Sequence, residues 1–141
     1  MSMAPIPATG GCLCGSIRYT VTETPAMSAV CHCRNCQQQS GSAYSVMIAV
    51  PLAALQFDAG QPRCYRDTGT SGQPVDRYFC GDCGSPLYSD VAVLPGMAFV
   101  KAGTLDDPAW VEPTQALWCD SALPSARLAD DITRLPGNPP V

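Results

Sequence analysis

Short apolar runs alternate with turn-forming residues along most of this chain. Its 141 residues include 14 prolines and 12 glycines, which interrupt the chain every few positions and disfavour long helices. Between them lie runs that alternate apolar and polar residues or are rich in Val, Ile, Tyr and Phe, a pattern typical of strands. These runs are Ser16–Val21, Ala43–Val50, Arg63–Asp67, Arg77–Phe79, Leu87–Ser89 and Met97–Ala102. The sequence therefore predicts a mainly β fold of short antiparallel strands.

Helical periodicity is weak, so few short helices are expected. The best candidate is Arg34–Ser40, and single turns are predicted at Leu52–Leu55 and near Leu105–Trp110. Asp67–Pro74 has the composition of a surface loop between two strands, and Leu135–Val141 that of a loose tail. No repeat or long linker divides the chain, which indicates one domain over residues 1–141 with a core at about 10–124.

Charge and hydropathy exclude several classes of partner. Eight basic residues against twelve acidic ones give a net charge of −4, and no Lys/Arg stripe occurs, so neither nucleic acid nor an anionic membrane is expected. The longest apolar stretches, such as Val46–Leu55 and Val91–Val100, fall well short of the roughly 20 residues of a membrane span. Met1–Gly10 has no basic segment followed by an apolar core, so we expect a cytoplasmic protein without a secretory signal.

Nine cysteines are many for a chain of this length. In a secreted protein they would indicate disulfides, and in a cytosolic one they would indicate metal or redox chemistry. Seven of them lie in tight clusters, namely Cys12/Cys14, Cys31/Cys33/Cys36 and Cys80/Cys83. Clustered sulfurs can point at one centre, which favours metal binding.

Two of these clusters together offer four thiolates. Cys80 and Cys83 form a C-x-x-C-G turn in which Gly84 permits a tight reversal. Cys12 and Cys14 share one face of an extended segment, so both can chelate one ion. Joined, the two pairs predict a closed zinc site, which could contribute on the order of 10 kcal/mol to folding.

The remaining cluster offers only three thiolates. Cys31, Cys33 and Cys36 lie within six residues, and three protein ligands leave a position for water or substrate, as in catalytic zinc sites. The alternative is a second structural site, completed by Cys64, Cys119 or His32.

In the catalytic interpretation, residues outside the clusters are not expected to bind the metal directly. On a strand, His32 would point away from Cys31 and Cys33, so we expect it beside the site or at the surface. Cys64 and Cys119 are isolated and are assigned no role. The two tryptophans, Trp110 and Trp118, are expected in the core or a pocket wall.

The cysteine clusters belong to longer motifs. These are Gly10–Tyr19 (GGCLCGSIRY), Cys31–Tyr44 (CHCRNCQQQSGSAY) and Tyr78–Tyr88 (YFCGDCGSPLY), with weaker matches at Ala102–Pro108 and Leu117–Pro124. In this order they resemble the glutathione-dependent formaldehyde-activating enzyme family. The resemblance covers roughly positions 10 to 124. Relatives often carry a histidine shortly before the residue matching Trp118, and this chain has none there.

The resemblance implies a mainly β fold around zinc-ribbon-like cysteine sites. By the family pattern, a structural zinc is held by Cys12, Cys14, Cys80 and Cys83, and a catalytic zinc by Cys31, Cys33 and Cys36. The implied reaction joins glutathione and formaldehyde into S-hydroxymethylglutathione, or cleaves that carbon–sulfur bond. A small thiol or thiol adduct, such as glutathione, would then be the partner.

That resemblance leads us to expect a zinc-dependent carbon–sulfur lyase whose catalytic zinc is either labile or fixed. Basic residues that could pair with the carboxylates of glutathione are Arg18, Arg34, Arg63, Arg66 and Lys101. Two alternatives stay open at this point, a non-catalytic zinc module for a protein partner and a redox or zinc-storage protein.

Overall fold

The computed structural model describes residues 4–69 and 71–139. It contains one α-helix, α1 (Arg34–Ser40), and short 3-10 turns at Leu52–Ala54, Ala102–Thr104 and Cys119–Ser121. The strands in chain order are β1 (Ala8–Gly11), β2 (Arg18–Val21), β3 (Met27–Cys31), β4 (Ser45–Pro51), β5 (Leu55–Ala59), β6 (Arg63–Thr68), β7 (Pro74–Phe79), β8 (Pro86–Val91), β9 (Met97–Lys101), β10 (Gln115–Leu117) and β11 (Thr133–Arg134). The prediction of a mainly β fold is confirmed.

The strands form a large sheet and a small one. The eight-stranded sheet has the order β11-β10-β3-β4-β9-β8-β7-β6, and the three-stranded sheet has the order β1-β2-β5. All pairs are antiparallel except those of β10, which runs parallel to both β3 and β11. Among the described residues, no helix has the length and apolarity needed to cross a bilayer.

All of the predicted strands exist, and five were not predicted. The missed strands β1, β3, β5, β10 and β11 are only two to five residues long. A run this short carries too little period-2 pattern to stand out, and it becomes a strand because a neighbour pairs with it. The 3-10 turn at Leu52–Ala54 agrees with the turn predicted after Pro51.

Helix α1 has the bounds that the sequence predicted. Its first turn is capped by the Cys33 sulfur, which accepts a hydrogen bond from the Cys36 N–H at 3.3 Å. Gly41 ends the helix with φ 66°, and its N–H donates to the Gln37 carbonyl at 2.8 Å. Glycine adopts this left-handed conformation at little cost.

Period-2 alternation gives the large sheet two different faces. One face packs against the small sheet, and Tyr19 and Val21 belong to the same main core as Ile48, Val50 and Val100. The other face contributes to a second apolar core, which also contains two of the cysteines, Cys31 and Cys36. Its buried members are Ala29, Cys31, Cys36, Met47, Ala49, Phe99 and Leu117.

The predicted helical turn near Leu105–Trp110 is wrong. Leu105 instead forms a β-bridge with Gly10, and the Asp106 carboxylate pairs with Arg18. A tight turn follows, in which the Val111 N–H donates to the Pro108 carbonyl at 3.0 Å. Pairing with the N-terminal strands therefore holds Leu105 extended, and no helical turn forms over residues 106–110.

The C-terminal segment is not loose over residues 135–139. The Leu135 N–H donates to the Ala116 carbonyl at 2.8 Å, and the Trp118 N–H donates to the Gly137 carbonyl at 3.1 Å. The Trp118 Nε1–H also donates to Asn138 Oδ1 at 2.9 Å. Backbone pairing along β10 stabilises this segment, while residues 140 and 141 of the predicted tail lie outside the described residues.

Candidate metal centres and cavity

Four cysteine sulfurs converge where two turns meet. Cys12 and Cys14 lie between β1 and β2, and Cys80 and Cys83 lie between β7 and β8. All four Sγ atoms lie within 4.8 Å of one another. This cluster therefore joins the N-terminal strands to a hairpin of the large sheet.

Both cysteine turns end on a glycine in the left-handed conformation. The Gly15 N–H donates to the Cys12 carbonyl at 3.1 Å, and the Gly84 N–H donates to the Cys80 carbonyl at 2.9 Å. Both glycines have φ 81°, which other residues rarely adopt. Each turn thus ends on a glycine that allows the chain to reverse immediately after the sulfurs.

Hydrogen-bond donors favour the thiolate form at two of these sulfurs. Burial of the Cys12 thiol opposes its ionisation, yet the Ile17 N–H and the Ser16 hydroxyl bring its pKa to about 7. The Ser85 hydroxyl and N–H lower the pKa of Cys83 to about 5. Four thiolates within one coordination sphere are the donor set that tetrahedral zinc prefers.

Three further sulfurs converge at the start of α1. Cys31 ends β3, Cys33 caps the helix and Cys36 lies in its first turn. Their Sγ atoms lie within 4.8 Å of one another, and the part of the chain that the structure describes adds no fourth His, Cys, Asp or Glu ligand to this group. The cluster can hold a metal ion with three thiolates.

Charge within this cluster is shared unequally. Hydrogen bonds from Cys31 and Cys33 lower the pKa of Cys36, and the nearby Lys101 and Arg77 act in the same direction. The pKa of Cys31 is raised because its neighbours Cys33 and Cys36 take the negative charge and because it is buried. The three sulfurs therefore share negative charge, and two cationic side chains lie close to them.

Both of these cations are buried. The Arg77 Nη1 lies 3.9 Å from the Cys36 sulfur, and its Nε donates to Asp67 Oδ2 at 3.0 Å. The Lys101 Nζ donates to the Ser45 hydroxyl at 2.7 Å. Burial lowers the pKa of Lys101, while the thiolates of the cluster oppose that shift. Both side chains are less than one-tenth exposed, so their charge acts at low dielectric.

A cavity of about 90 Å³ opens beside the three-sulfur cluster. Its floor is one face of the large sheet, where alternate residues of neighbouring strands point the same way. Residues from six strands, the helix and the C-terminal segment line it, including Cys31, Cys33, Cys36, Met47, Val75, Arg77, Ser89, Phe99, Lys101, Leu117, Trp118 and Asn138. None of the described residues that line it belongs to the four-sulfur cluster.

Several residues outside the clusters differ from expectation. His32 is only 2% exposed, so a surface position is wrong; its ring packs edge-on against Tyr44 with centroids 5.5 Å apart. His32 and the isolated Cys64 and Cys119 all lie outside the three-sulfur group. Cys64 is exposed and Cys119 is half-buried.

Both tryptophans lie where the sequence indicated, Trp118 in the cavity wall and Trp110 against the main core. Of the basic residues considered as carboxylate partners, Lys101 alone lines the cavity.

Arg77 and Ser89 line the cavity but could not be recognised in the sequence, because each is a single polar residue within a predicted strand. Their spacing could have indicated a shared surface. Val75 and Arg77 are two residues apart on one strand and so lie on the same sheet face, as do Ser89 and Val91 on the next strand.

This arrangement defines a class of protein, namely a mainly β domain with two cysteine clusters that can each hold a metal ion. The sequence model of the glutathione-dependent formaldehyde-activating enzyme family matches residues 7–121. The chain belongs to this family.

Curated proteins similar to this chain are named, provisionally, as glutathione-dependent formaldehyde-activating enzymes. A Podospora anserina protein is 29% identical over 79% of this chain and 54% of its own length. A Penicillium rubens protein is 29% identical over 79% of this chain and 60% of its own length. The chain thus spans little more than half the length of these relatives.

A solved structure shares the fold. A crystal structure of a Rhodobacter sphaeroides protein aligns with a TM-score of 0.59 and 22% identity, covering 74% of this chain and 91% of that one. At this identity the likeness shows the fold alone.

Proposed function

We propose that this chain is a zinc-dependent carbon–sulfur lyase that forms and cleaves a thiol–aldehyde adduct such as S-hydroxymethylglutathione. The observation that carries this proposal is the difference between the two cysteine clusters. The four-sulfur cluster is self-contained, whereas the three-sulfur cluster opens onto a cavity lined by buried cations. Family membership supports glutathione and formaldehyde as the reactants.

The four-sulfur cluster is proposed as the structural zinc site. Its ligands would be Cys12, Cys14, Cys80 and Cys83, which fill a tetrahedron without any other group. Zinc held there would tie the β1–β2 turn to the β7–β8 turn. Its contribution would be to folding, because none of its four cysteines lines the cavity beside the three-sulfur cluster.

The three-sulfur cluster is proposed as the catalytic site. Cys31, Cys33 and Cys36 would hold zinc and leave one position that faces the cavity. When bound there, zinc supplies a Lewis acid that favours the thiolate form of the substrate sulfur. The cysteines themselves hold and orient the ion at the start of α1.

Side chains of the cavity would bind the reactants and limit water. Arg77 and Lys101 offset the negative charge of three protein thiolates and of an incoming substrate thiolate. The apolar walls, including Met47, Phe99 and Leu117, exclude bulk water from the reacting carbon. A water needs roughly 10–15 Å³ of such space. The cavity of about 90 Å³ therefore has room for a sulfur with a one-carbon group.

The test combines zinc stoichiometry with a direct assay. The purified chain should bind two zinc ions and should accelerate adduct formation from glutathione and formaldehyde. Cys33→Ser should bind one zinc, lose the activity and keep its circular dichroism spectrum. Cys64→Ser, which alters an exposed cysteine outside both clusters, is the matched control and should change neither property.

Other outcomes would contradict the proposal. Global unfolding of Cys33→Ser would make the second site structural. A protein that binds two zinc ions but neither binds nor converts any thiol would instead be a zinc module for a protein partner. Reversible zinc loss with a disulfide between Cys33 and Cys36 would favour a redox or zinc-storage role.

A further inference from the structure

Ser89 is a buried polar residue that the cysteine clusters do not explain. It lies on β8 and is 5% exposed, and its Oγ has no hydrogen-bond partner among the described residues. Leaving a buried hydroxyl unpaired is unfavourable, and such groups in folded proteins usually have a specific reason. Ser89 also lines the cavity beside the three-sulfur cluster. Its free hydroxyl therefore points to a ligand rather than to a contact within the fold.

The sheet register places Ser89 among the cationic residues of the cavity. Ser89 is directly opposite Arg77 on β7 and opposite Phe99 on β9. Side chains directly opposite each other in a sheet have Cβ atoms about 4.5–5.5 Å apart. Lys101 lies two residues beyond Phe99 on the same strand and so on the same face. Ser89 is thus flanked by one guanidinium and, diagonally, by one ammonium.

The neighbouring cations direct their hydrogen bonds elsewhere. Arg77 donates to Asp67 and to the Cys36 sulfur, and Lys101 donates to Ser45. Neither of them donates a hydrogen bond to the Ser89 hydroxyl, although both contribute positive electrostatic potential around it. A small oxygen atom bound here would accept a hydrogen bond from Ser89 in a positive field.

We propose that Ser89 is a further catalytic residue that binds the oxygen atom of the one-carbon aldehyde unit. This inference rests on the proposed function. In the forming direction, the substrate thiolate sulfur attacks the carbonyl carbon, a sulfur–carbon bond forms, and the π-electron pair moves to oxygen. The oxygen then takes a proton from water, which replaces the proton that the thiol released. The reverse reaction removes that proton and breaks the sulfur–carbon bond.

The Ser89 hydroxyl donates its hydrogen bond to this oxygen as negative charge develops there. Such a bond is stronger to the alkoxide than to the neutral carbonyl, so it stabilises the transition state more than the bound aldehyde. Lys101 supports the same charge through space. Removal of the hydroxyl should therefore act on kcat more than on the KM for the thiol.

The first experiment compares Ser89→Ala with Ser28→Ala in adduct formation from glutathione and formaldehyde. Ser28 is on β3 of the same sheet, but its hydroxyl is satisfied by the Glu112 carbonyl at 2.8 Å. We expect kcat of Ser89→Ala to fall about hundredfold to thousandfold, with zinc content, the KM for glutathione and the thermal midpoint unchanged. Ser89→Thr, which keeps a hydroxyl, should retain more activity than Ser89→Ala, and Ser28→Ala should match wild type in kcat.

A structural role would give a different result. Because the Ser89 hydroxyl has no hydrogen-bond partner among the described residues, its removal breaks no hydrogen bond to them. An unchanged kcat in Ser89→Ala would overturn the proposal. So would a loss of activity accompanied by lost zinc or a lowered thermal midpoint.

The second experiment measures binding without turnover. Calorimetry on the zinc-loaded protein compares 2-mercaptoethanol with 1-propanethiol, which has the same shape but a methyl group in place of the hydroxyl. Wild type should bind 2-mercaptoethanol several-fold more tightly, and Ser89→Ala should bind both thiols equally. Equal binding by wild type would overturn the role of Ser89 and leave the lyase proposal intact. Failure of wild type to bind either thiol would contradict the proposed function and this inference with it.

Discussion

The guanidinium Nη1 of Arg77 lies 3.9 Å from the sulfur of Cys36, within a largely buried cluster of thiols. The same guanidinium is held in place by Asp67, which also accepts a hydrogen bond from the Asn35 amide at 2.9 Å. A buried cation thus connects the hairpin of β6 and β7 to the helix that carries the sulfurs. This contact links the stability of the hairpin to the charge state of the cluster.

Replacing Arg77 should impair both stability and zinc binding. Arg77→Met leaves the partly buried Asp67 without its cationic partner, and breaking such an ion pair costs roughly 3–5 kcal/mol when it is fully buried. Since Asp67 retains some exposure, we expect a loss of about 2–3 kcal/mol in urea unfolding. Weaker zinc binding at the three-sulfur cluster should accompany it.

The double variant Arg77→Met/Asp67→Asn separates these two effects. It removes both charges, so it should recover part of the lost stability. Zinc affinity should stay low, because the cation beside Cys36 is still missing. Arg66→Met, which alters an exposed arginine on β6, is the matched control and should change stability by less than about 1 kcal/mol. Wild-type zinc affinity in Arg77→Met would contradict the electrostatic role.

The four-sulfur cluster should dominate the stability of the fold. Cys83→Ser removes one thiolate from a site that joins two distant turns, so the thermal midpoint should fall by more than 10 °C, equivalent to roughly 2 kcal/mol or more. Leu13→Ser is the control, because Leu13 lies in the same cluster of turns and is 88% exposed. It should leave the midpoint unchanged. A Cys83→Ser protein as stable as wild type would contradict the structural assignment.

Stability should fall at alkaline pH through Tyr19. This tyrosine is 1% exposed, and burial raises its pKa to about 12 in the folded chain, above an unfolded value of about 10. The neutral phenol is favoured by folding, so its contribution is fully present below about pH 10 and is lost as pH rises through about 12. Two pKa units correspond to at most about 2–3 kcal/mol.

Tyr19→Phe is the test of that alkaline effect. It removes the hydrogen bond of 2.7 Å to the Thr104 hydroxyl, which should cost about 1 kcal/mol at neutral pH. Between pH 10 and 12 the variant should lose less stability than wild type in urea unfolding. Some pH dependence should remain, because burial raises the pKa of Tyr88 to about 12 as well. Identical alkaline slopes for the two proteins would contradict this prediction.

Shortening the C-terminus should open the cavity. A chain ending at Arg134 lacks Leu135 and Asn138, which pair with Ala116 and Trp118. We expect the KM for glutathione to change by severalfold and Trp118 fluorescence to shift to longer wavelength as its ring meets water. A chain lacking only residues 140 and 141 is the control and should behave as wild type. Unchanged fluorescence and KM in the shorter chain would show that the segment does not shape the cavity.

Local features of this protein could be predicted from the sequence alone. The grouping of sulfurs follows from spacing, because residues two or three apart in a turn point at a common centre. The bounds of α1 were predicted because its cysteine cap and terminal glycine act within a few residues. The mainly β character follows from frequent Pro and Gly between β-branched runs.

The tertiary structure alone decided how these parts are arranged. Strands as short as β3 and β10 exist because they pair with partners distant in sequence. Pairing across the sheet brings Arg77, Ser89 and Lys101 to one face beside Cys36, and it binds residues 135–139 at the cavity rim. Single polar residues in separate strands do not reveal in the sequence that they will line the same cavity. The sequence therefore determined which sulfurs lie together in each turn. Long-range strand pairing joined two of those turns into one cluster and decided which of the two clusters lies beside a cavity.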